Sequence, residues 1–547
     1  VGLRRGAGER DGGRIVTRIA GTPSARGADS GPPGEHRDRR GRWHVELTAD
    51  VPHPVTRMPR VTGPLEEAWA AAGGHPHCSR LRGDLLATAL CAENPSITER
   101  AGFDPGSDSS TCLYTWTIED SAATAVALWT NAVFDERSPE RNELTRLPGS
   151  DLWTITLCLP REWRSSYRLA VWRDAAPPPW RFAKGRHSRR RAAIASGGPD
   201  PKARWRIAFP SGGSVSLAAG PDAPADRWSV GLSRAEGPPS PADGRPADKP
   251  STGGPSAEGA LQRPGKPDED PTRASRGAVR ASGGAVRVKC ASRVFPGGVC
   301  PRERVDPPRG GVDRLSVDGT RAWIYRPPHI RGVPALRDDP RPARPPDDPA
   351  SSATPLLVLF DGDMWARRLH LGDALDRAIA LGLLPPLHVA MLDSLDVETR
   401  WRTLGVPGGH VDAVLDGLLP HIRACYPVSA QGAETIVAGQ SLGGLSALWT
   451  LALGEGTVGH AIAQSPALWR FDVAEPLLAE RRWAGADIQA GAYETETLAL
   501  STGLVTTLKG AGRRARLAVA CGGHDWAWWR IGLLDSLADI LHPCGGR

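Results

Sequence analysis

An α/β domain with a mostly parallel, doubly wound sheet, preceded by a smaller β-sandwich of immunoglobulin-like size, is the architecture this sequence predicts. Three observations predict it. From residue 312 onward, short apolar runs alternate with helix-prone segments, the pattern of βα units around a parallel sheet. Within that half, an apolar strand-like run at 435–438 enters a helix-prone stretch through Gly439-Gln440-Ser441-Leu442-Gly443. Between residues 111 and 218 the text changes to short alternating strands parted by Gly, Pro and Asp turns.

The chain of 547 residues exceeds one ordinary domain. Residues 1–60, rich in Gly, Arg, Asp and Pro without apolar periodicity, are expected to be a disordered basic tail. Order is expected to begin at 63–69 with a short helix, followed by a poorly patterned stretch to about residue 105. Strands are expected at 112–118, 123–129, 151–159, 167–172 and 214–218, which gives an N-terminal domain over 61–230. Residues 231–311 shift to Pro, Gly, Ser, Ala and scattered charge, too long and unpatterned for a compact domain, and read as a linker or insertion. The second domain, 312–547, reads as strands at 321–325, 355–360, 387–392, 435–438, 460–464, 486–490 and 516–520. Helices are expected at 373–381, 411–425, 498–509 and 528–541, besides the one that follows Ser441.

Composition narrows the function. A net charge of +7 over this length suits anionic ligands but is far from a nucleic-acid-binding balance. Nine cysteines show no CxxC pair and no metal-like spacing with histidine, which suits a reducing compartment. No window approaches a membrane span and the N-terminal stretch lacks a secretory apolar core, so the expected location is the cytoplasm.

Strand, sharp turn and helix with a serine at the tip form the nucleophile elbow of α/β-hydrolases. Glycines two before and two after the serine are required because the two backbones pass too close for Cβ atoms. A serine hydroxyl needs a base, and the base an orienting acid, in the chain order Ser, acid, His. His524 follows the strand at 516–520 and precedes the last helix, the position this order demands. The acid reads as Glu494, after the preceding strand, with Glu496, Asp487 and Asp525 as competitors. Oxyanion donors are expected from the Leu442 amide and from the loop after 355–360, at Gly362 or Asp363. Arg400, Arg402 and Trp365 on the same rim are the candidate substrate-binding residues, Arg400 as a grip on an anion. The competing role for Arg400 is an ion pair with Asp396 one helical turn away.

The motifs VAGQSLGGLSALW (437–449), AQSPALW (463–469), CGGHD (521–525), LLVLFDGDMW (356–365) and DSLDVETR (393–400) together resemble the enterochelin (enterobactin) esterases. WTNAVFDER (129–137) and 144–167 extend the resemblance into the β-rich half, so that it covers roughly 63–230 and 312–545. It implies a cytoplasmic serine esterase that hydrolyses the trilactone of ferric catecholate siderophores, with Ser441 and His524 catalytic. It implies no cofactor, since iron enters as part of the substrate, and no nucleic-acid or membrane partner. The chain departs from the family where Arg400-Trp401-Arg402-Thr403-Leu404 replaces Arg-x-x-Glu-Leu and 200–204 replaces Asp-Pro-x-Asn-Pro. A general carboxylesterase or acyltransferase, and a non-catalytic siderophore-binding protein, are the alternatives.

Overall fold

Residues 356–359 read Leu-Leu-Val-Leu, and all four side chains are buried, as a central parallel strand requires. Leu356 and Val358 join the core on one face of the sheet, Leu357 and Leu359 the core on the other. Such two-sided burial is possible only with helices on both faces, and that is the architecture found. The computed structural model describes residues 35–37, 43–45, 59–75, 77–99, 111–208, 213–224, 233–234, 309–328 and 353–541. The expected tail and the 231–311 insertion therefore lie almost wholly outside the described residues.

The N-terminal half contains β1 (Thr111–Glu119), β2 (Ala125–Thr130), β3 (Leu152–Pro160), β4 (Arg164–Trp172) and β5 (Ser214–Ala219). β1 and β3 pair antiparallel from Thr111 opposite Pro160 to Glu119 opposite Leu152. β4 pairs antiparallel with both β2 and β5 in a second sheet. Inward side chains of both sheets share one core, with Tyr114, Trp116, Trp163 and Tyr167 all fully buried at its centre. Two helices here have no clear apolar stripe in the sequence. They are α1 (Cys78–Cys91), where only Ala89 is buried, and α2 (Arg186–Ser196), RHSRRRAAIAS. Both fall in stretches without an expected helix, since periodicity is the signal such an expectation rests on.

In the C-terminal half the strands are β6 (Gly311–Val317), β7 (Thr320–Arg326), β8 (Leu356–Leu359), β9 (His388–Leu392), β10 (Thr435–Gln440), β11 (His460–Gln464), β12 (Gly485–Gly491) and β13 (Ala515–Ala520). They form one eight-stranded sheet in the order β6-β7-β9-β8-β10-β11-β12-β13. β6 and β7 are antiparallel and the remaining pairs, from β9 to β13, are parallel. The expected strands recur within a residue or two, and β6 is an addition. Between them lie α3 (Gly362–Arg367), α4 (Val397–Thr403), α5 (Leu442–Leu453) and α6 (Thr495–Gly510), and α7 (Trp526–Leu541) follows the last. The helix expected at 411–425 is interrupted by a π turn, Ala413–Leu418, just ahead of Pro420, whose nitrogen has no hydrogen to donate. Parallel strands present their carboxyl ends on one side of the sheet, and functional loops of such folds gather there.

Candidate active site

The elbow is built as its glycines require. Ser441 sits between β10 and α5 with φ 58° and ψ −117°, a conformation costing about 1–3 kcal/mol for a residue other than glycine. A Cβ on Gly439 would lie 2.4 Å from the Gly443 carbonyl oxygen, and one on Gly443 would lie 3.0 Å from Phe360 Cβ. The strained residue is held from both sides: its N–H donates to the Gln464 carbonyl at 2.9 Å, and its carbonyl accepts from Ala467 N–H at 3.0 Å. Leu442 opens α5, so its amide is among the first-turn N–H groups that the helix's own carbonyls do not use.

The same Gln464–Ala467 loop reaches the acid. Ser465, buried and at φ 44°, donates from Oγ to Glu494 Oε1 at 2.6 Å. Gly491 N–H donates to that oxygen as well, at 2.8 Å. The other oxygen, Oε2, accepts from His524 Nδ1 at 2.7 Å. With the proton on Nδ1, Nε2 carries the lone pair and can act as a base. Trp529 braces the assembly twice, its Nε1–H donating to Ser465 Oγ at 3.0 Å and its ring meeting the His524 ring edge-on at 4.8 Å. Glu494 is buried, whereas the His524 side chain is 44% exposed and open to a ligand.

The competing acids are occupied elsewhere. Asp487 pairs with Arg516 at 2.5 Å. Asp525, next to His524 in the chain, turns away and accepts from Ser166 N–H at 2.5 Å and Ser165 Oγ–H at 3.1 Å on β4. Glu496 lies in the first turn of α6, two residues beyond its N-cap Glu494.

On the other side of the elbow, α3 follows β8 through Asp361, at φ 57°. Gly362 has no room for a side chain, since a Cβ there would lie 2.2 Å from the Met391 carbonyl carbon. Burial, then the charges of Asp361 and Asp393, push the Asp363 carboxyl up to about 6. Arg400 turns out to hold this loop. Its Nε donates to Asp361 Oδ1 at 2.7 Å and its terminal nitrogen to Oδ2 at 2.8 Å, while Asp396 caps α4 through Thr399 instead. A guanidinium fork spent on Asp361 is not a free grip for a substrate anion, which corrects the substrate-binding role expected for Arg400. Trp365 is corrected too: its side chain is fully buried and packed edge-on against Trp526 at 5.6 Å, so it belongs to the core. Arg402 is exposed on α4.

Arg400→Ala would leave the buried Asp361 carboxylate without its charge partner and with only Ser394 Oγ–H still donating to it, at a cost on the order of 3 kcal/mol. Turnover of a ferric siderophore and of a small neutral ester should then fall together, because the damage is to the loop and not to a substrate contact. Steady-state rates on both substrates, beside melting curves, test this; a loss confined to the siderophore would return Arg400 to the substrate.

Comparison with known proteins agrees with this geometry. Residues 114–229 match the family described as enterochelin esterase, N-terminal, and residues 343–540 match the Esterase family, so that together they cover more than half of the chain. An iron(III) enterobactin esterase of Dickeya dadantii is 26% identical over 433 residues, 75% of this chain and 82% of its own. An iron(III) salmochelin esterase of Escherichia coli O6:H1 is 32% identical over 211 residues, 35% of this chain and 52% of its own. Against that second relative the matched part spans about half of the relative's length. The crystal structure of ferric enterobactin esterase from Salmonella typhimurium superposes with a TM-score of 0.57 at 20% identity, over 84% of this chain and 99% of that one. Fold and site together define a hydrolase with the α/β-hydrolase fold and a β-rich domain before it. Within that class, the chain belongs to the enterochelin esterase family.

Proposed function

We propose that this protein is a cytoplasmic serine esterase that cuts the trilactone of ferric catecholate siderophores such as ferric enterobactin, and so releases iron. The observation that carries the reading is the His524–Glu494 hydrogen bond, tied through Ser465 to the loop that holds the strained elbow serine. His524 Nε2 removes the proton from Ser441 Oγ as the oxygen attacks an ester carbonyl. The amides of Leu442 and of Gly362 or Asp363 receive the developing oxyanion. The imidazolium then protonates the leaving alkoxide, and water repeats the sequence to free the acid. Relatives named as enterobactin and salmochelin esterases support the substrate class. Iron is cargo in this reaction: once its three chelating arms are no longer joined, each arm's effective concentration near the metal falls and the metal is easier to remove.

Incubation with ferric enterobactin and, separately, with p-nitrophenyl acetate tests the reading by mass spectrometry. The first ester cut should give a linear product one water heavier than the ring, and later cuts smaller fragments whose masses sum to one further water per cut; none should form with Ser441→Ala. Turnover of p-nitrophenyl acetate with the siderophore left whole would instead favour a general carboxylesterase.

A further inference from the structure

The loop that carries His524 is held largely from outside its own domain. Asp525 is almost fully buried, and both its oxygens are used: Oδ2 accepts from Ser166 N–H and Ser165 Oγ–H of β4, and Oδ1 from Ala527 N–H at 3.0 Å. Asn131, in the turn after β2, donates from Nδ2 to the His524 carbonyl at 2.5 Å, and Arg190 of α2 fixes its side chain by donating to Oδ1 at 2.8 Å. At the loop's start, Arg164 N–H donates to the Cys521 carbonyl at 2.9 Å.

The fit leaves no slack. A Cβ on Gly523 would lie 2.6 Å from the Asn131 carbonyl oxygen, and one on Gly522 would lie 2.7 Å from that of Arg164. The acid's loop is docked the same way. Tyr493, the residue before Glu494, packs with Cys521 against the core of the two N-terminal sheets, and its N–H donates to the Gly522 carbonyl at 3.1 Å.

We infer that the N-terminal β domain is part of the catalytic apparatus: through Asp525 and Asn131 it sets the position of the His524 ring. Both are positioning residues, and the inference rests on the reading of His524 as the base. A ring displaced by about 1 Å can cost on the order of a hundredfold in rate, so a clamp on its backbone is a lever on turnover. Because the clamp acts on the base and not on the substrate, it matters for every ester the enzyme cuts, including one too small to touch the N-terminal domain.

The test uses the full chain and p-nitrophenyl acetate, with kcat and KM measured separately for Asp525→Asn, Asn131→Ala and His524→Ala, and for each of the first two combined with His524→Ala. Asp525→Asn places an amide donor against N–H or O–H donors, and kcat should fall about 10–100-fold with KM changed less than twofold. Asn131→Ala removes two hydrogen bonds, its own to the His524 carbonyl and that from Arg190, while Arg190 keeps its bond to the Asn131 carbonyl. It should lower kcat several-fold with a nearly unchanged melting temperature, which keeps the test decisive if Asp525→Asn folds poorly. In the His524→Ala background neither change should alter the residual rate by more than twofold, since a residue acting through His524 has nothing left to act on. Full kcat in folded Asp525→Asn and Asn131→Ala, with His524→Ala inactive, would overturn the inference and leave the esterase reading standing. The same losses persisting without His524 would also overturn it. A fully active His524→Ala would instead remove the base assignment itself.

Discussion

Ser441→Ala is expected to yield a folded protein that hydrolyses esters on the order of a millionfold more slowly. The hydroxyl is the nucleophile of the proposed mechanism, and nothing else on the elbow can replace it. Stability should be nearly unchanged for two reasons. Alanine carries the same Cβ, so the backbone at φ 58° is no more strained with it than with serine. The contacts that hold position 441 come from its main chain, through Gln464 and Ala467, and survive the substitution. Thermal melting and turnover of p-nitrophenyl acetate measure the two halves of the expectation. A variant with wild-type turnover would remove the serine mechanism altogether.

Glu494→Gln should cost about ten-thousandfold in kcat although the two side chains have the same shape. Glu494 Oε1 receives two donors, Ser465 Oγ–H and Gly491 N–H. A glutamine must therefore keep its carbonyl oxygen there, since its NH2 would face the Gly491 N–H. The NH2 is then left at the Oε2 position, 2.7 Å from His524 Nδ1, where the carboxylate had been the acceptor. An amide that donates to Nδ1 forces the ring proton onto Nε2, and a protonated Nε2 cannot take the serine's proton. The nitrogen chemical shifts of the His524 ring report the tautomer directly, and kcat reports its consequence. Activity within tenfold of wild type would mean that Glu494 does not govern the ring.

Much of the second domain is legible in the sequence because its determinants are local. Val358 beside Leu357 is enough to mark a strand buried on both faces, and the glycines at 439 and 443 mark a turn where two backbones nearly touch. The elbow is the clearest case, since five consecutive residues carry both the geometry and the chemistry. α2 shows the opposite: RHSRRRAAIAS has no apolar period, yet its Arg190 orients the asparagine that holds the His524 loop.

The sequence by itself determined the order of the parallel strands along the chain, the elbow serine and the histidine after the penultimate element. Only the tertiary structure decided which carboxylate meets that histidine. Glu494, Glu496 and Asp525 lie within 31 positions of one another, but one residue's difference along a loop turns a side chain to the opposite side. Asp525 therefore faces Ser166, 359 positions away, while Glu494 faces His524, 30 away. The partners of Arg400 and Trp365 were hidden for the same reason: Asp361 and Trp526 come from distant stretches of chain that are brought alongside only when the sheet forms. Local pattern sets what each segment becomes; which side chains meet depends on contacts that no window of sequence contains.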